Sequence, residues 1–189
     1  MLTVRAARTD DLGAIVNLER YCFPPEVAFG RSRWHYLLTH AKGRTLLLLD
    51  ETSQLMGYLS LLEHRGWDRL VIQTLAIRWT IRRQGWARRL LEQVIREGRE
   101  AGWGAIRLEV ADANPEAQTL YHRLGFRPRL RLPDYYGPGQ HAHRLVLALR
   151  PHYPETGQNL VHGLRISLTV ALALALRRDE AVWALRGFV

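Results

Sequence analysis

The sequence is poor in residues that build disulfides and metal sites. Cys22 is the only cysteine among 189 residues, so an intrachain disulfide and a cysteine-based metal site are both excluded. The eight histidines show no spacing typical of metal ligands, and we expect no metal site.

Long hydrophobic runs are also missing. No segment reaches the roughly 20 consecutive apolar residues that a membrane-spanning helix requires. The N-terminal segment MLTVRAARTDDLGAIVNLER lacks the basic flank and apolar stretch of a secretory signal. We therefore expect a cytoplasmic protein that does not span a membrane.

Lysine is nearly absent, although the protein is strongly basic. Lys42 is the only lysine among 27 basic residues, 18 residues are acidic, and the formal net charge is +9. Such a charge favours polyanionic partners such as nucleic acid or a phosphorylated cofactor. An arginine excess can equally reflect the base composition of a genome, and no motif that reads nucleic acid is present. Nucleic acid is therefore not the expected partner.

The pattern of apolar residues predicts an α+β fold. Hydrophobic residues make up 47% of the chain and charged residues 24%, as in ordinary globular domains. The predicted order is β-α-α-β-β-β-α-β-α-β-β, a mixed and mostly antiparallel central sheet flanked by helices, with one parallel neighbour after the central helix. Strands are predicted at residues 2–7, 44–50, 54–64, 68–79, 105–112, 126–132 and 143–150, and helices at 8–23, 32–41, 85–101 and 114–125. Residues 133–141 are predicted to form a loop.

A change of pattern near residue 150 divides the chain. We expect one domain over residues 1–150 and a C-terminal extension over 151–189 that begins with the linker-like PHYPETGQN. From Leu164 to Leu176 apolar residues alternate with a period of two, which is typical of a strand, yet the alanine and leucine content favours a helix. The extension is interpreted as an interaction or domain-closing element.

The segment IRRQGWARRLL, residues 81–91, lies where a predicted strand ends and a helix begins. The first amides of a helix have no partner within the helix and carry the positive end of its dipole, so an anion can bind there. Gly85 and Ala87 lack the bulk that would keep an oxyanion from the main chain. The spacing Arg82, Gly85, Ala87 thus favours a phosphate-binding loop, although a glycine near a helix start is often only a cap or a packing site.

Two further segments follow this loop in a specific order. The stretches TLAIRWTIRRQGWARRLLEQVI, LEVADANPEAQTLYHRLGF and DYYGPG together resemble the GNAT family of acetyl-CoA-dependent N-acetyltransferases. More narrowly, they resemble the ribosomal-protein alanine N-acetyltransferases, which modify protein N-termini. The resemblance covers about residues 2–149. It implies a GNAT fold, acetyl-CoA as co-substrate, and direct attack of an amine on acetyl-CoA in a ternary complex.

The resemblance also assigns the cofactor contacts. It implies that the pantetheine arm of acetyl-CoA lies along the main chain of Leu75, Ala76 and Ile77. Asn114 matches a cofactor-contacting asparagine at the start of a helix. The pyrophosphate is expected on the loop formed by Arg82, Arg83, Gln84, Gly85, Trp86, Ala87 and Arg88.

Glu109 and Tyr121 match the catalytic residues of the family. The resemblance implies that Glu109 removes a proton from the attacking amine through water, and that Tyr121 protonates the departing CoA thiolate. The chemistry agrees, because an amine attacks only when unprotonated and a thiolate leaving group needs a proton or a hydrogen bond. Without the resemblance, Glu109 reads as a solvated or ion-paired residue on the strand face it shares with Arg107. Tyr121 then reads as a core aromatic residue.

Four residues are expected to contact the acceptor, the molecule that carries the attacking amine. These are Tyr135 and Tyr136 in the predicted loop, and Phe23 and Glu26 in the segment CFPPE. N-terminal acetyltransferases of the family usually continue after the tyrosines with an acidic-acidic-Ala stretch. This chain has Gln140, His141 and His143 in that region instead, so it lacks the negative charge near the substrate.

Three functions remain open. The first is acetylation of a protein or peptide N-terminal amine, which the Tyr-Tyr-Gly segment and the Glu109 and Tyr121 pair favour. The second is acetylation of a small-molecule amine or a lysine side chain, which the missing acidic stretch favours. The third is a non-catalytic acyl-CoA-binding interaction module, in which the extension binds a partner. The extension is also a candidate contact for a homodimer.

Overall fold

The computed structural model describes residues 1–25 and 27–151, together with the main chain of Arg186–Phe188. The strands of this part are β1 (Thr3–Ala6), β2 (Gly43–Leu49), β3 (Leu55–His64), β4 (Arg69–Ile77), β5 (Ala105–Ala111), β6 (Arg127–Gly137), β7 (Gln140–Ala148) and β8 (Arg186–Phe188). The helices are α1 (Leu12–Cys22), α2 (Arg31–Thr39), α3 (Trp86–Glu100) and α4 (Pro115–Arg123).

The strands form one sheet in the order β1-β2-β3-β4-β5-β7-β6. Neighbours along this order are antiparallel except for β4 and β5, which run parallel and are connected through α3. The predicted order of elements and the mixed, mostly antiparallel sheet are therefore confirmed.

The helices begin and end where local chemistry requires. α3 starts after Gly85, whose left-handed φ of 81° few other residues adopt, and Gly102 follows its end with φ 72°. α4 starts at a cap in which the Asn114 Oδ1 accepts the Ala117 N–H at 3.0 Å. Pro115 occupies the first helical position, where no N–H is needed.

Each face of the sheet has its own hydrophobic core. α3 and α4 cover one face, where buried residues such as Leu75, Leu90 and Phe126 pack together. On the other face α1 and α2 pack mainly on β2, β3 and β4, around Trp34 and Tyr58. In the described part of the chain, that second face of β5, β7 and β6 carries no packed helix.

A buried polar contact attaches α1 to the sheet. Glu19 is 1% exposed, accepts the Phe29 N–H at 2.7 Å and accepts the hydroxyl of Tyr58. Burial, followed by the charge of Glu19, raises the pKa of Tyr58 well above its ordinary value. The hydroxyl therefore remains protonated and donates to the carboxylate. This contact holds α1 against β3 beside the central strand.

A β-bulge in β4 opens the sheet. Ser60 lies opposite Thr74 but the next residue, Leu61, lies opposite Ile72, so Gln73 is an extra residue in β4. On its other edge β4 pairs with β5 only from Arg69 to Val71, while β5 continues to Ala111. The two parallel strands separate beyond this point, and we call the gap between residues 72–77 and 108–111 the splay.

The connection between the last two long strands differs from the predicted loop. Residues 133–141 were expected to be irregular, but β6 extends to Gly137 and β7 begins at Gln140. The pairing jumps from Leu132 and Ala142 to Gly137 and Gln140, so residues 133–136 bulge out of the ladder. The Gly139 N–H donates a hydrogen bond to the Asp134 Oδ1 at 2.7 Å, which closes the turn.

A short piece of the C-terminal extension joins the sheet. Residues Arg186–Phe188 pair in parallel with Thr74–Ala76 of β4, and β8 also contacts β5. β3 occupies the other edge of β4, so β8 lies in the splay. The alternating segment 164–176 lies outside the described residues. The proposed boundary between a domain and an extension stays a prediction.

Candidate active site

The splay and two helix starts meet at one edge of the sheet. β4 leads through residues 78–85 into α3, and β5 leads through residues 112–114 into α4. Because β4 and β5 run in the same direction, both helices start beside the carboxyl ends of the separated strands. Sheets with parallel strands commonly bind ligands at such an edge.

The loop before α3 presents main-chain amides. Arg83 and Gly85 have left-handed φ values of 60° and 81°. The first helical hydrogen bond runs from the Arg89 N–H to the Gly85 carbonyl at 3.0 Å, which leaves the amides of Trp86, Ala87 and Arg88 without an acceptor in the helix. A Cβ placed on Gly85 would meet no atom within 4 Å, so the space beside Gly85 is open. This geometry suits an anion.

The arginine side chains of the loop and first turn of α3 contact other groups of the protein. Arg82 Nε donates to the Ile77 carbonyl at 3.0 Å, Arg83 contacts Glu116 at 2.6 Å, Arg88 contacts Glu92 at 2.7 Å, and Arg89 lies over the Trp86 ring at 4.4 Å. Gln84 and Gly85 are exposed, whereas Ala87 is buried. The main-chain amides therefore offer the more direct anion contact.

The main chain of β4 lines one side of the splay. The side chains of Leu75, Ala76 and Ile77 are all buried in the two cores, so only their main chain can face a ligand in the splay. β8 pairs with this edge at Thr74–Ala76. A ligand that pairs with the same edge must therefore displace β8.

Asn114 lies where the resemblance placed a cofactor contact, at the start of α4. Its Oδ1 is the helix cap, and the residue is 9% exposed. The capping bond fixes the side chain near the carboxyl end of β5. Arg83 joins this region to the loop before α3 through Glu116 in the first turn of α4.

Glu109 lies on the second face of β5, between two guanidinium groups. Its side chain is fully buried, and its Oε1 accepts the Arg144 Nε–H at 2.7 Å. The Nε of Arg107 lies 3.3 Å from the same oxygen. The other oxygen, Oε2, has no hydrogen-bond partner among the described residues. The residue is thus ion-paired, as one sequence interpretation held, and its second carboxylate oxygen is buried.

Tyr121 lies on the opposite face of β5. It is 1% exposed and packs against Phe126 with ring centroids 5.7 Å apart. Burial alone raises the pKa of its hydroxyl, so the phenol stays protonated at neutral pH. Glu109 and Tyr121 therefore belong to opposite faces of β5.

The expected acceptor contacts are divided between two regions. Tyr135 and Tyr136 lie on the bulged part of β6, with their rings at 5.0 Å and nearly perpendicular. Tyr136 packs with Ala142 in a small cluster beside the second face of β5. Phe23 is 3% exposed and belongs to the core under α1 and α2, and Glu26 lies outside the described residues.

Sequence patterns did not reveal two features of the site. Arg144 was not recognised as a partner of Glu109, although it directly precedes the apolar end of β7 and lies opposite Glu109. Glu19 was not recognised as buried, although it follows Ile15 by four residues on the apolar face of α1.

Cys22 donates weakly to the Ile77 carbonyl at 3.8 Å, and burial raises the pKa of its thiol. That shift disfavours the reactive thiolate.

Other candidate sites contribute little. A concavity of about 500 Å³ lies at the β3–β4 connection and contains none of the predicted site residues, its lining being Lys42, Glu63, His64, Arg65, Gly66 and Trp67. The described residues hold no group of three or more histidine, cysteine or acidic side chains placed to bind a metal. Among the described helices, none has the length and apolar character needed to cross a membrane.

Comparison with known proteins agrees with this geometry. The model of the acetyltransferase (GNAT) family matches residues 12–126. Two curated relatives are the N-alpha-acetyltransferase MAK3 of Arabidopsis thaliana, 35% identical over 94 residues, and an N-terminal acetyltransferase complex ARD1 subunit homolog of Dictyostelium discoideum, 26% identical over 160 residues. The matches cover 49% and 82% of this chain, but only 50% of the Arabidopsis protein and 77% of the Dictyostelium protein.

A solved structure shows the same fold. The ribosomal-protein-S18-alanine N-acetyltransferase from Escherichia coli superimposes with a TM-score of 0.73 at 22% identity. The superposition covers 84% of this chain and 98% of that protein. At this identity the likeness concerns the fold.

We expect the ion pairs of Glu109 to stabilise the protein. Glu109→Gln should lower the free energy of unfolding by about 1–3 kcal/mol, because it leaves two partly buried guanidinium groups without a counter-charge. The double variant Glu109→Gln, Arg144→Gln should lose less than the sum of the two single variants. Urea unfolding followed by circular dichroism measures these differences.

Glu92→Gln is the matched control, because its ion pair with Arg88 is exposed on α3. We expect it to change the free energy of unfolding by less than about 0.5 kcal/mol. Equal losses for Glu92→Gln and Glu109→Gln would contradict the assignment of the buried pair.

Proposed function

Since the chain belongs to the acetyltransferase (GNAT) family, we propose that it transfers an acetyl group from acetyl-CoA to the N-terminal amine of a protein or peptide. Acetyl-CoA is the co-substrate of the family. Both curated relatives carry names that describe N-terminal or N-alpha acetylation, which supports this acceptor class.

The observation that carries the proposal is the position of the Glu109 carboxylate. It lies at the side of the splay, on the face of β5 that carries no packed helix in the described part of the chain, and its buried Oε2 has no hydrogen-bond partner there. An amine approaching from this face can lose its proton to Oε2, directly or through a water molecule. The free amine then attacks the carbonyl carbon of the acetyl thioester.

Tyr121 serves the leaving group in this proposal. It belongs to the face of β5 opposite Glu109, so the amine and the thiolate are served from opposite sides of the splay. An ordinary thiol has a pKa of about 8.5, well below that of a buried tyrosine. Tyr121 is therefore better suited to donate a hydrogen bond to the departing thiolate than to give up its proton completely. This refines the role of proton donor.

The cofactor contacts are proposed from the open amides before α3. The pyrophosphate binds to the amides of the loop that carries Gly85, and the pantetheine arm pairs with the main chain of Leu75, Ala76 and Ile77. Asn114 contributes from the start of α4. Arg82 and Arg83 hold the loop before α3 in place through their contacts with Ile77 and Glu116. They supply long-range attraction rather than the main phosphate contacts.

Release of free CoA thiol from acetyl-CoA tests the acceptor class. We expect turnover with peptides that have a free N-terminus, and none with the same peptides blocked at the N-terminus. Lysine peptides and polyamines are measured in parallel. Turnover with small amines or lysine side chains alone would replace the proposed acceptor. Tight binding of acetyl-CoA without turnover on any amine would favour a non-catalytic binding module.

We expect Tyr121→Phe to lower kcat by about 10²–10³-fold, because the departing thiolate loses its hydrogen-bond donor. The KM for acetyl-CoA should change little, since the ring and its packing remain. Steady-state kinetics with a peptide acceptor separates the two constants. Tyr36→Phe is the control, because it removes a hydroxyl from an exposed residue of α2. An unchanged kcat in Tyr121→Phe would remove this residue from the mechanism.

Gly85→Ala should raise the KM for acetyl-CoA about tenfold with a smaller effect on kcat. The new methyl group enters the open space beside the loop amides and also strains a residue with φ 81°. Gly102→Ala separates these two effects, because Gly102 has φ 72° and an equally open surrounding at the far end of α3. Both variants should lower the free energy of unfolding by a similar amount. A similar rise of KM in both would mean that strain, not the phosphate contact, is responsible.

A further inference from the structure

The face of β5 that we assign to the acceptor carries an excess of positive charge. Arg107 and Glu109 share this face because they are two residues apart on one strand, and Arg144 lies directly opposite Glu109 on β7. Arg69 begins β4 beside Ala105 and contributes to the field at Arg107. Two guanidinium groups thus flank one carboxylate, and a third acts on Arg107.

Glu109 cannot neutralise these groups. Its Oε1 takes both the hydrogen bond from Arg144 and the close approach of Arg107. The Arg107 Nε is buried and makes no hydrogen bond with proper geometry among the described residues. A buried charge without a full counter-charge is unfavourable, and binding of a carboxylate would relieve it.

The neighbouring ionisable groups do not supply that carboxylate. Asp112 contacts His143 at 3.1 Å and Arg131 at 3.4 Å. Asp134 lies 3.6 Å from His141 and closes the β6–β7 turn. Asp112 is therefore already paired with basic side chains, and the Asp134 carboxylate is engaged within its own turn.

Two pKa shifts agree with a positive field. Burial is the largest cause that lowers the pKa of the Arg107 guanidinium, and the charge of Arg144 lowers it further, while Glu109 opposes the shift. Burial also lowers the pKa of His64, with added contributions from Arg107 and Arg69. His64 is consequently neutral at pH 7 and does not add to the charge.

The contact between Arg107 and Glu109 matches the start of a peptide. The Arg107 Nε lies 3.3 Å from the Glu109 Oε1, so a cation and a carboxylate are presented side by side. The amine of a peptide and the side-chain carboxylate of its first or second residue can likewise lie side by side. An acceptor whose amine reaches Glu109 can thus place a carboxylate at Arg107.

We propose that Arg107 selects acceptors with aspartate or glutamate among their first two residues, by pairing with that carboxylate while Glu109 receives the amine. This inference rests on the proposed N-terminal acetylation. Arg144 is a positioning residue in it, because it orients Glu109 and shares the negative charge that Arg107 would otherwise receive. Gln140 and His141 agree with this specificity, since acidic residues there would repel the acceptor.

Matched peptides test this selectivity. The peptides have free N-termini and a C-terminal fluorophore, and differ only in Asp against Asn, or Glu against Gln, at the first or second residue. We expect the wild-type protein to favour the acidic member by at least about tenfold in kcat/KM and in affinity from fluorescence anisotropy, as a charge-assisted hydrogen bond provides. Arg107→Gln should reduce this ratio to near one, and Arg107→Lys should restore part of it.

Arg96→Gln is the control for total charge. Arg96 is exposed on α3, on the opposite side of the sheet, and its loss should leave the ratio unchanged. A wild-type ratio near one, or a ratio that persists in Arg107→Gln while the variant keeps its native circular dichroism spectrum, would overturn the inference. A ratio that falls equally in Arg96→Gln would overturn it too.

The binding measurement distinguishes this inference from the proposed function. Selective binding of the acidic peptides without any acetyl transfer would overturn N-terminal acetylation but uphold the role of Arg107 in carboxylate recognition. Acetylation of acidic and neutral peptides with equal efficiency and affinity would uphold the proposed function and overturn the role of Arg107. Free aspartate and glutamate are included as acceptors. If free aspartate or glutamate is acetylated and the peptides are not, carboxylate recognition is upheld and the acceptor is a small molecule.

Discussion

A strand can share each of its edges with only one neighbour, and the site of this protein depends on how β4 uses that limit. The bulge at Gln73 lets β3 stay paired along one edge of β4, while the other edge leaves β5 after Val71. The main chain of residues 74–76 consequently pairs with another extended segment, β8, which a ligand at this edge would have to displace. The helix starts, the loop of Gly85 and the carboxylate of Glu109 are all arranged around this gap. Closing it by continuous pairing would remove the site.

Two kinds of positive charge act in this molecule, and they have different physical roles. At the start of α3 the useful charge belongs to main-chain amides, which point in fixed directions and need no ordering of long side chains. On the second face of β5 the charge belongs to guanidinium groups that are partly buried and held by Glu109. The main-chain amides suit a ligand group that is the same in every reaction cycle. The second kind suits discrimination between acceptors, because a missing counter-charge is most costly where water is scarce.

The parts of the structure predictable from the sequence are those determined by nearby residues. The spacing of Leu90, Leu91, Val94 and Ile95 predicted α3, and Gly85 predicted its start. Prolines and glycines in residues 133–141 predicted a loop, but pairing between β6 and β7 extended both strands into that segment. The environment of Glu109 was not predictable in the same way. Its partner Arg144 is 35 residues further along the chain, and only the register of β5 against β7 brings them together.

β6 is the last strand of the sheet in the described part of the chain, and its outer edge has a consequence for solubility. An exposed edge with free N–H and C=O groups can template pairing with another copy of a protein. Pro128 and Pro133 lack an N–H to offer, and Arg127, Arg129 and Arg131 place the same charge on both chains of any such pair. The prolines and arginines of β6 therefore disfavour strand-to-strand pairing at this edge, which no helix in the described part of the chain covers.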